Sequence, residues 1–185
     1  MFIFLECINR VDALFFSMNI SLVSITFADF PKLISWAVSE EFLLQWTGRT
    51  FTYPLNEKQL RDYYNGSIGK SRLRLILKAI DTENGKHLGN ITIDWANSKQ
   101  KEAALTCIIV GEVAYKGIGA GEYIVNSACR IAFEELNKKK LYLNVFDFNL
   151  PAIRCYEKCS FREVLKENIN INGKEYVNLK MERSG

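Results

Sequence analysis

A glycine-rich stretch near the middle of the chain, Lys116-Gly117-Ile118-Gly119-Ala120-Gly121, constrains the fold more than any other segment. The residues before it, 105–110, form a short and nearly continuous apolar run, which is typical of a buried strand. After it, apolar residues recur at three- and four-residue steps from Tyr123 to Leu136, which indicates one face of a helix. The glycines are therefore predicted to form the turn of a strand–turn–helix unit.

A turn of this kind suits an anionic ligand. It leaves several backbone N–H groups at the positive end of the helix dipole, where a phosphate or pyrophosphate binds. No Gly-Lys-Ser/Thr closes the stretch, so it is not a P-loop, and Asp147 lies somewhat beyond the acidic position of a Rossmann fingerprint. Glycines between a strand and a helix can also be plain turn residues, so the stretch alone does not assign a ligand.

Length and charge narrow the class of protein. A chain of 185 residues suits a single domain with a substantial core. The net charge of +3, from 24 basic and 21 acidic residues, is too small to argue for a nucleic-acid partner. The one basic run, 138–140, falls where the long helix should end, and there we expect a solvated helix terminus.

The reactive side chains argue against metal and disulfide chemistry. The five cysteines are odd in number, lie inside apolar patterns and follow no secretion signal, so we expect free thiols in the cytoplasm. His87 is the single histidine, which leaves almost no material for a zinc site or a Ser-His-Asp triad. We therefore expect no bound metal.

The first residues raise a question about where the domain begins. Residues 1–17 are apolar, but Glu6, Arg10 and Asp12 interrupt a signal-peptide core, and the run is too short to cross a membrane. Met18 stands directly before the first predicted strand. We predict one domain over residues 18–185, with 1–17 as an extension or a mispredicted start, and no membrane partner.

The remaining pattern predicts a mixed α/β domain in the order β-α-α-β-β-β-α-β-α-β-β. Asp29 is predicted to cap a first helix that runs to Thr47-Gly48, and a second helix covers Lys58 to Tyr64. These two helices carry more aromatic surface than packing alone needs. Their aromatic residues therefore fit either a core or the wall of an acceptor pocket: Trp46, Phe51, Tyr53, Tyr63 and Tyr64.

Two separated motifs resemble the GNAT superfamily of acetyl-CoA-dependent N-acetyltransferases. Lys116, Gly119 and Gly121 fit the spacing of its Gln/Arg-x-x-Gly-x-Gly/Ala loop, with Lys in place of the usual Gln or Arg. The later stretch LYLNVFDFNLPAIRCYEKCSF is similar to its second pattern, Val-x-x-x-Asn-x-x-Ala-x-x-x-Tyr-x-x-x-Gly-Phe. Here that pattern is carried by Val145, Asn149, Ala152, Tyr156 and Phe161. The resemblance covers about residues 19–182, and residues 29–55 are similar to the ribosomal-protein N-terminal alanine and serine acetyltransferases.

The resemblance implies a fold and a donor site. A central, mostly antiparallel sheet is flanked by helices, and its fourth and fifth strands splay apart to admit the pantetheine arm of acetyl-CoA. The backbone groups of Ile109 and Val110 would bond that arm as an added strand does. The pyrophosphate would lie on the N–H groups of residues 116–121, with a charge-assisted contact from Lys116.

The resemblance also implies roles for two later side chains. Tyr156 is the expected catalytic residue, because a phenol within reach of the thioester can protonate the departing thiolate. Asn149 would cap the helix that begins at Pro151, bond the donor's amide-bearing arm, or do both. Ser160 stands where the family usually has glycine, and a positive φ there would cost on the order of 1 kcal/mol.

The general base has no clear candidate. Glu102, Asp94 and Glu112 lie near the predicted fourth strand and the glycine stretch, but each fits a surface carboxylate better than a base. Cys155 and Cys159 are one helical turn apart, which suits neighbours on one helix face and is no metal site. No residue is therefore assigned this role.

The predicted function is the transfer of an acetyl group from acetyl-CoA to a primary amine. The acceptor is a peptide N-terminus, a polyamine, an amino acid or another small amine, and the protein is a monomer or homodimer. Two alternatives are a non-catalytic acyl-CoA-binding protein of the same fold and a nucleotide- or phosphate-binding module. The second motif argues against the module, because a phosphate binder does not need a phenol that protonates a thiolate.

Overall fold

The computed structural model describes residues 19–68, 73–95 and 99–185. The predicted extension over residues 1–17 and the start at Met18 lie outside the described residues, so both stay predictions. Among the helices of the described part, none is both long and apolar enough to span a bilayer.

The first half of the chain carries three helices between its first two strands. A 3-10 turn at Phe27–Asp29 precedes the first of these helices. The elements of this half are β1 (Ile20–Ser24), α1 (Phe30–Trp36), α2 (Glu40–Thr47), α3 (Glu57–Ile68), β2 (Leu73–Asp81), β3 (His87–Trp95) and β4 (Glu102–Val110).

The second half alternates helices with strands and ends in a long hairpin. The 3-10 turn Val113–Tyr115 leads into the glycine stretch, and a π-helical turn, Ile131–Glu135, follows α4. The elements here are α4 (Ala120–Arg130), β5 (Lys140–Phe146), α5 (Leu150–Lys158), β6 (Arg162–Ile171) and β7 (Lys174–Ser184).

One seven-stranded sheet joins both halves, in the order β1-β2-β3-β4-β5-β7-β6. Its neighbouring strands are antiparallel except for the parallel pair β4–β5. That pair is joined only where Glu102–Ala104 faces Lys140–Tyr142, so the two strands separate towards their carboxyl ends. The predicted fold class and the splay between the fourth and fifth strands are confirmed.

Helices cover both faces of the sheet. This follows from the two hydrophobic clusters, to which neighbouring residues of one strand belong in turn. Leu77 of β2 packs into a cluster with α4 and α5, whereas Ile76 packs into a second cluster with α1, α2 and α3. Successive side chains of a strand point to opposite faces, so the two clusters lie on opposite sides of the sheet.

The predicted first helix is wrong in its length and in its cap. It ends at Trp36, and α2 begins anew after Ser39, whose side chain accepts a hydrogen bond of 3.1 Å from the Phe42 N–H. A serine that can cap a new helix breaks the apolar periodicity that suggested one long helix. Asp29 does not cap α1; its carboxylate accepts from the Thr26 N–H at 2.8 Å.

The expected solvated end of the long helix is wrong at Lys138, whereas Lys139 beside it is exposed as expected. Lys138 is only 3% exposed, and its Nζ donates to the Gln100 carbonyl at 2.9 Å. The same Nζ lies 4.7 Å from the centre of the Trp95 ring. A backbone carbonyl and an aromatic face replace water around the cation, so this lysine ties the end of the helix to the β3–β4 connection.

Candidate active site

The splay between β4 and β5 opens a cavity of about 550 Å³. Strand β4 forms one wall, the glycine stretch closes one end, and α5 with the end of β5 forms the opposite wall. The cavity brings together most of the predicted site residues, which line it: Ile109, Val110, Lys116, Gly117, Gly119, Gly121, Asn149 and Tyr156.

Two predicted residues do not line the cavity with their side chains. Ile118 points to solvent with 57% of its surface exposed, and Ala120 is fully buried at the start of α4. Their expected contribution was a backbone N–H, which a side-chain position neither supports nor contradicts.

The glycine stretch needs glycine at two positions. Gly117 and Gly119 have φ values of 78° and 97°, in the left-handed region that other residues enter only with strain. Gly119 is the residue that directly precedes α4. The helix therefore starts with its first N–H groups beside the cavity, where the positive end of its dipole favours an anion.

A partly buried hydrogen bond holds the start of this loop against the sheet. The Tyr115 hydroxyl donates to Oδ2 of Asp81, at the end of β2, over 2.6 Å. This hydrogen bond is the largest cause of a lowered pKa at Asp81, so the carboxylate stays ionised and accepting at neutral pH. Tyr115 also lines the cavity, so the bond fixes one side of the opening.

Two cations of the site were missed from the sequence. Arg154 and Lys158 of α5 line the cavity beside Lys116. Lys158 is paired with Glu122 of α4 at 2.6 Å. The two missed residues are four positions apart in a predicted helix, and this spacing places them on one face, which is the signal that could have found them.

Tyr156 is buried in the wall formed by α5. Its exposed fraction is 8%, and its ring packs edge-on against Phe161 with the centroids 6.4 Å apart. Burial raises the pKa of Tyr156, so the phenol is protonated throughout the neutral range. Within the part of the chain that the structure describes, its hydroxyl has no hydrogen-bond partner, which leaves the proton free for a ligand.

Asn149 takes the capping position that the sequence allowed. Its Oδ1 accepts a hydrogen bond from the Ala152 N–H at 3.4 Å, at the first turn of α5. The residue also lines the cavity, so its second expected role, a bond to the donor, stays a prediction.

Cys155 and Cys159 are neighbours beside the cavity, as their spacing predicted. Cys155 lines the cavity, and the neighbouring Cys159 thiol lowers the pKa of the Cys155 thiol while burial opposes the change. The Cys155 Sγ lies 3.3 Å from the point that a Cβ on Gly121 would occupy, so this glycine lets α4 and α5 pack closely. The four cysteines in the described ranges are free thiols.

The aromatic residues of the first helices were expected either to pack in a core or to form the wall of a pocket, and they divide between these two roles. Trp46 lines the cavity together with Phe42 and Gln45 of α2. Phe51, Tyr63 and Tyr64 pack instead in the hydrophobic cluster of α1, α2 and α3, and Tyr53 is 47% exposed. Of the five aromatic residues, Trp46 alone therefore contributes to the wall on the side of α2.

The three carboxylates considered as bases are held elsewhere. Asp94 is paired with Arg74 at 3.0 Å, and Glu102 lies 3.7 Å from Lys140. Glu112 accepts from Lys32 at 2.5 Å and Lys86 at 2.6 Å, and these bonds lower its pKa to about 2. None of the three lines the cavity, so the general base stays unassigned.

Ser160 has the backbone conformation for which glycine is better suited. Its φ is 65°, and its N–H donates to the Glu157 carbonyl at 2.9 Å in the turn that ends α5. A left-handed serine costs on the order of 1 kcal/mol, and the cost falls on the turn rather than on the cavity wall.

Comparison with known proteins decides the family. A profile described as the acetyltransferase (GNAT) family matches residues 40–161, more than half of the chain. The chain belongs to the acetyltransferase (GNAT) family. Its membership confirms the expected enzyme class, an acetyl-CoA-dependent acyltransferase, and argues against both a non-catalytic binding protein and a simple phosphate-binding module.

A curated relative and two solved structures refine the comparison. A spermidine N(1)-acetyltransferase of Vibrio cholerae is 29% identical over 118 residues, which span 63% of this chain and 66% of the relative. A spermidine N-acetyltransferase of the same organism, solved with CoA and spermine, has a TM-score of 0.74 at 23% identity, covering 90% of this chain and 95% of the other. A dodecameric form has a TM-score of 0.68 at 21% identity, covering 90% and 94%.

These relatives correct the expected subgroup. The similar proteins act on spermidine by their names, whereas the sequence suggested the N-terminal alanine and serine acetyltransferases of ribosomal proteins. The stretch 29–55 carried that suggestion, and a likeness at the level of the fold does not distinguish one acceptor from another. The comparisons support the family and not that subgroup.

Proposed function

We propose that this protein transfers the acetyl group of acetyl-CoA to a primary amine of a small molecule, with polyamines as the first candidates. The observation that carries the proposal is the cavity between β4 and β5, which has the glycine stretch at one end and the Tyr156 phenol in its wall. The acceptor class is supported by the relative named for spermidine.

The residues around the cavity fit the expected acyl donor. The N-terminus of α4 and the cations Lys116 and Arg154 suit phosphate groups, because backbone N–H groups and positive side chains both bind anions. The unpaired edge of β4 at Ile109 and Val110 suits the amide groups of an extended arm. Asn149 lies beside the same path.

The chemistry requires one bond to form and one to break. A bound acetyl-CoA supplies an activated thioester; the neutral amine attacks its carbonyl carbon, the new C–N bond forms and the C–S bond breaks. Tyr156 donates its proton to the departing thiolate and takes a proton back from solvent. Its unshared hydroxyl supports this role, and its raised pKa means that the proton is present at neutral pH. The attached amine loses one proton to solvent, since no carboxylate is assigned as the base.

A thiol-release assay with acetyl-CoA and a panel of amines tests the proposal. The panel holds spermidine, spermine, single amino acids, an aminoglycoside and peptides that begin with Ala or Ser. We expect amine-dependent release in the wild type and a fall of at least about tenfold in Tyr156→Phe, the size typical of a lost general acid. Tyr123→Phe on α4 is the matched control, because it removes a phenol outside the cavity lining.

The outcomes separate the alternatives. Activity of Tyr156→Phe within twofold of wild type would contradict the assigned role of the phenol. If acetyl-CoA binds but no amine turns over, the non-catalytic acyl-CoA-binding function is the better account. Thermal stabilisation by ATP and not by CoA would instead favour the phosphate-binding module.

The cellular setting follows from the same proposal. We place the enzyme in the cytoplasm, where the free thiols of the described chain stay reduced. A monomer or homodimer is the expected state, although a related enzyme forms a dodecamer. Size-exclusion chromatography with light scattering measures this directly.

A further inference from the structure

A row of three polar side chains crosses the sheet next to the cavity. Asn178 of β7 is 9% exposed, and its Nδ2 donates to Oδ1 of Asn144 on β5 and to Oε1 of Glu167 on β6. Both bonds are 3.2 Å long. Since β7 lies between β5 and β6, the buried amide holds one oxygen acceptor on each side of its own strand.

The row begins at the cavity and leads away from it. Asn144 lines the cavity, whereas Glu167 lies two strands away on the exposed hairpin. Because both oxygens accept from the same nitrogen, they are at most twice 3.2 Å apart, about 6.4 Å. A ligand at the cavity wall beside Asn144 can therefore extend along the sheet to the carboxylate.

The charge of Glu167 is not used within the described part of the chain. Its hydrogen bond comes from a neutral amide, and it forms no ion pair there. Two cations on neighbouring positions have carboxylates of their own: Lys180 is 2.9 Å from Glu182, and Lys166 is 3.8 Å from Asp147. A row of hydrogen-bonded side chains that served only packing would need no charged member. The carboxylate of Glu167 therefore requires a separate explanation.

We propose that Asn144 and Glu167 form a two-point recognition site for the acceptor, in which Glu167 binds the second ammonium group of a diamine or polyamine. Asn144 faces the reacting amine, and Asn178 positions both oxygens. Amide and carboxylate oxygens are hydrogen-bond acceptors that suit N–H donors. Nitrogens separated by three or four methylene groups span about 5–6 Å with standard bond lengths, which falls within the upper limit of about 6.4 Å for the two oxygens. The inference rests on the proposed function, since it concerns the acceptor of the same reaction.

The test compares amines that differ only in the second charge. The assay measures kcat/KM for 1,4-diaminobutane against n-butylamine, and for 1,3-diaminopropane against n-propylamine. We expect the wild type to prefer each diamine, and Glu167→Gln to reduce that preference about fivefold, the upper range for an exposed ion pair. The new amide oxygen still accepts from Asn178, so the row itself is retained.

Two controls separate charge recognition from a structural effect. Glu163→Gln removes the same charge from an exposed position of the same strand, outside the row, and should keep the wild-type preference. Added salt should reduce the preference of the wild type but not that of Glu167→Gln, because salt screens an exposed charge pair. Glu167→Asp should retain part of the preference.

The possible failures are distinguishable. If the wild type acetylates none of the amines, the proposed function itself fails. If it acetylates them but Glu167→Gln keeps the wild-type preference, or Glu163→Gln loses it equally, the assignment of Glu167 is overturned while the proposed function stands.

Discussion

Strands β3 and β4 approach so closely at Gly89 that a side chain has no room there. A Cβ at this position would lie 2.2 Å from the Ile109 carbonyl oxygen and 3.1 Å from Cδ1 of Ile124. The first obstacle is backbone inside a paired ladder, so it cannot rotate away as a side chain does. Gly89→Ala must therefore move β4 at a residue that lines the cavity.

The cost of this substitution follows from the overlap. Carbon and oxygen atoms that are not bonded stay about 3.3 Å apart or more, so relief of a 2.2 Å contact requires a shift of roughly 1 Å. Overpacking of a tight interior costs about 1–3 kcal/mol, and a backbone obstacle places this case near 3 kcal/mol. For a chain of this size that corresponds to a fall in Tm of about 6–12 °C.

Urea unfolding and thermal melts of Gly89→Ala measure this cost. Gly66→Ala is the control, because Gly66 is exposed on α3 and a Cβ there meets nothing within 4 Å. Since alanine favours a helix over glycine, the control should be stabilised by up to about 1 kcal/mol. A free energy of unfolding for Gly89→Ala within 1 kcal/mol of wild type would refute the argument from close approach.

Two further predictions concern the cavity wall and an ion-paired carboxylate. N-ethylmaleimide should label Cys155 faster than the buried cysteines, because its side chain is partly exposed and the pKa of its thiol is lowered. Saturating CoA should slow this labelling, and peptide mass spectrometry that finds equal rates with and without CoA would contradict a donor site beside Cys155. Glu112→Gln should lower the free energy of unfolding by about 1 kcal/mol at pH 7, because Lys32 and Lys86 hold the pKa of this carboxyl down to about 2. A carboxylate of depressed pKa stabilises the fold above its unfolded value of 4.5, so the difference should shrink below pH 4.5 and vanish near pH 2; urea titrations that show the same difference at pH 7 and pH 2.5 would argue against the ion pairs.

The parts of the site that the sequence predicted are those encoded by short local patterns. Gly117 and Gly119 adopt left-handed φ values, and glycine in the sequence indicates such a conformation because it adopts positive φ without strain. Asn149 caps α5 and Tyr156 lies within the same short helix, so their separation along the chain determines their relative position in the structure. The splay of β4 and β5 was expected from the resemblance that these two motifs carried.

The parts that were missed depend on contacts between distant segments. Lys138 is buried because the β3–β4 connection supplies a carbonyl and the end of β3 supplies an indole ring, and nothing in its own segment indicates this. The pairing of Asn178 with Glu167 depends on the register of β6 and β7, which shifts between Glu163 and Leu165. A one-residue shift changes the face of every later side chain, and the sequence does not reveal it.

The short parallel pairing of β4 with β5 has a consequence for how the molecule holds together. With only Glu102–Ala104 and Lys140–Tyr142 paired, the ladder that makes a sheet cooperative is interrupted at its centre. Strands β1–β4 and β5–β7 thus form two units whose local opening is coupled mainly through the helices packed across them. A ligand bound in the gap contacts both units and links them. Binding of the acyl donor and the cooperativity of unfolding are therefore coupled, so that each increases the other.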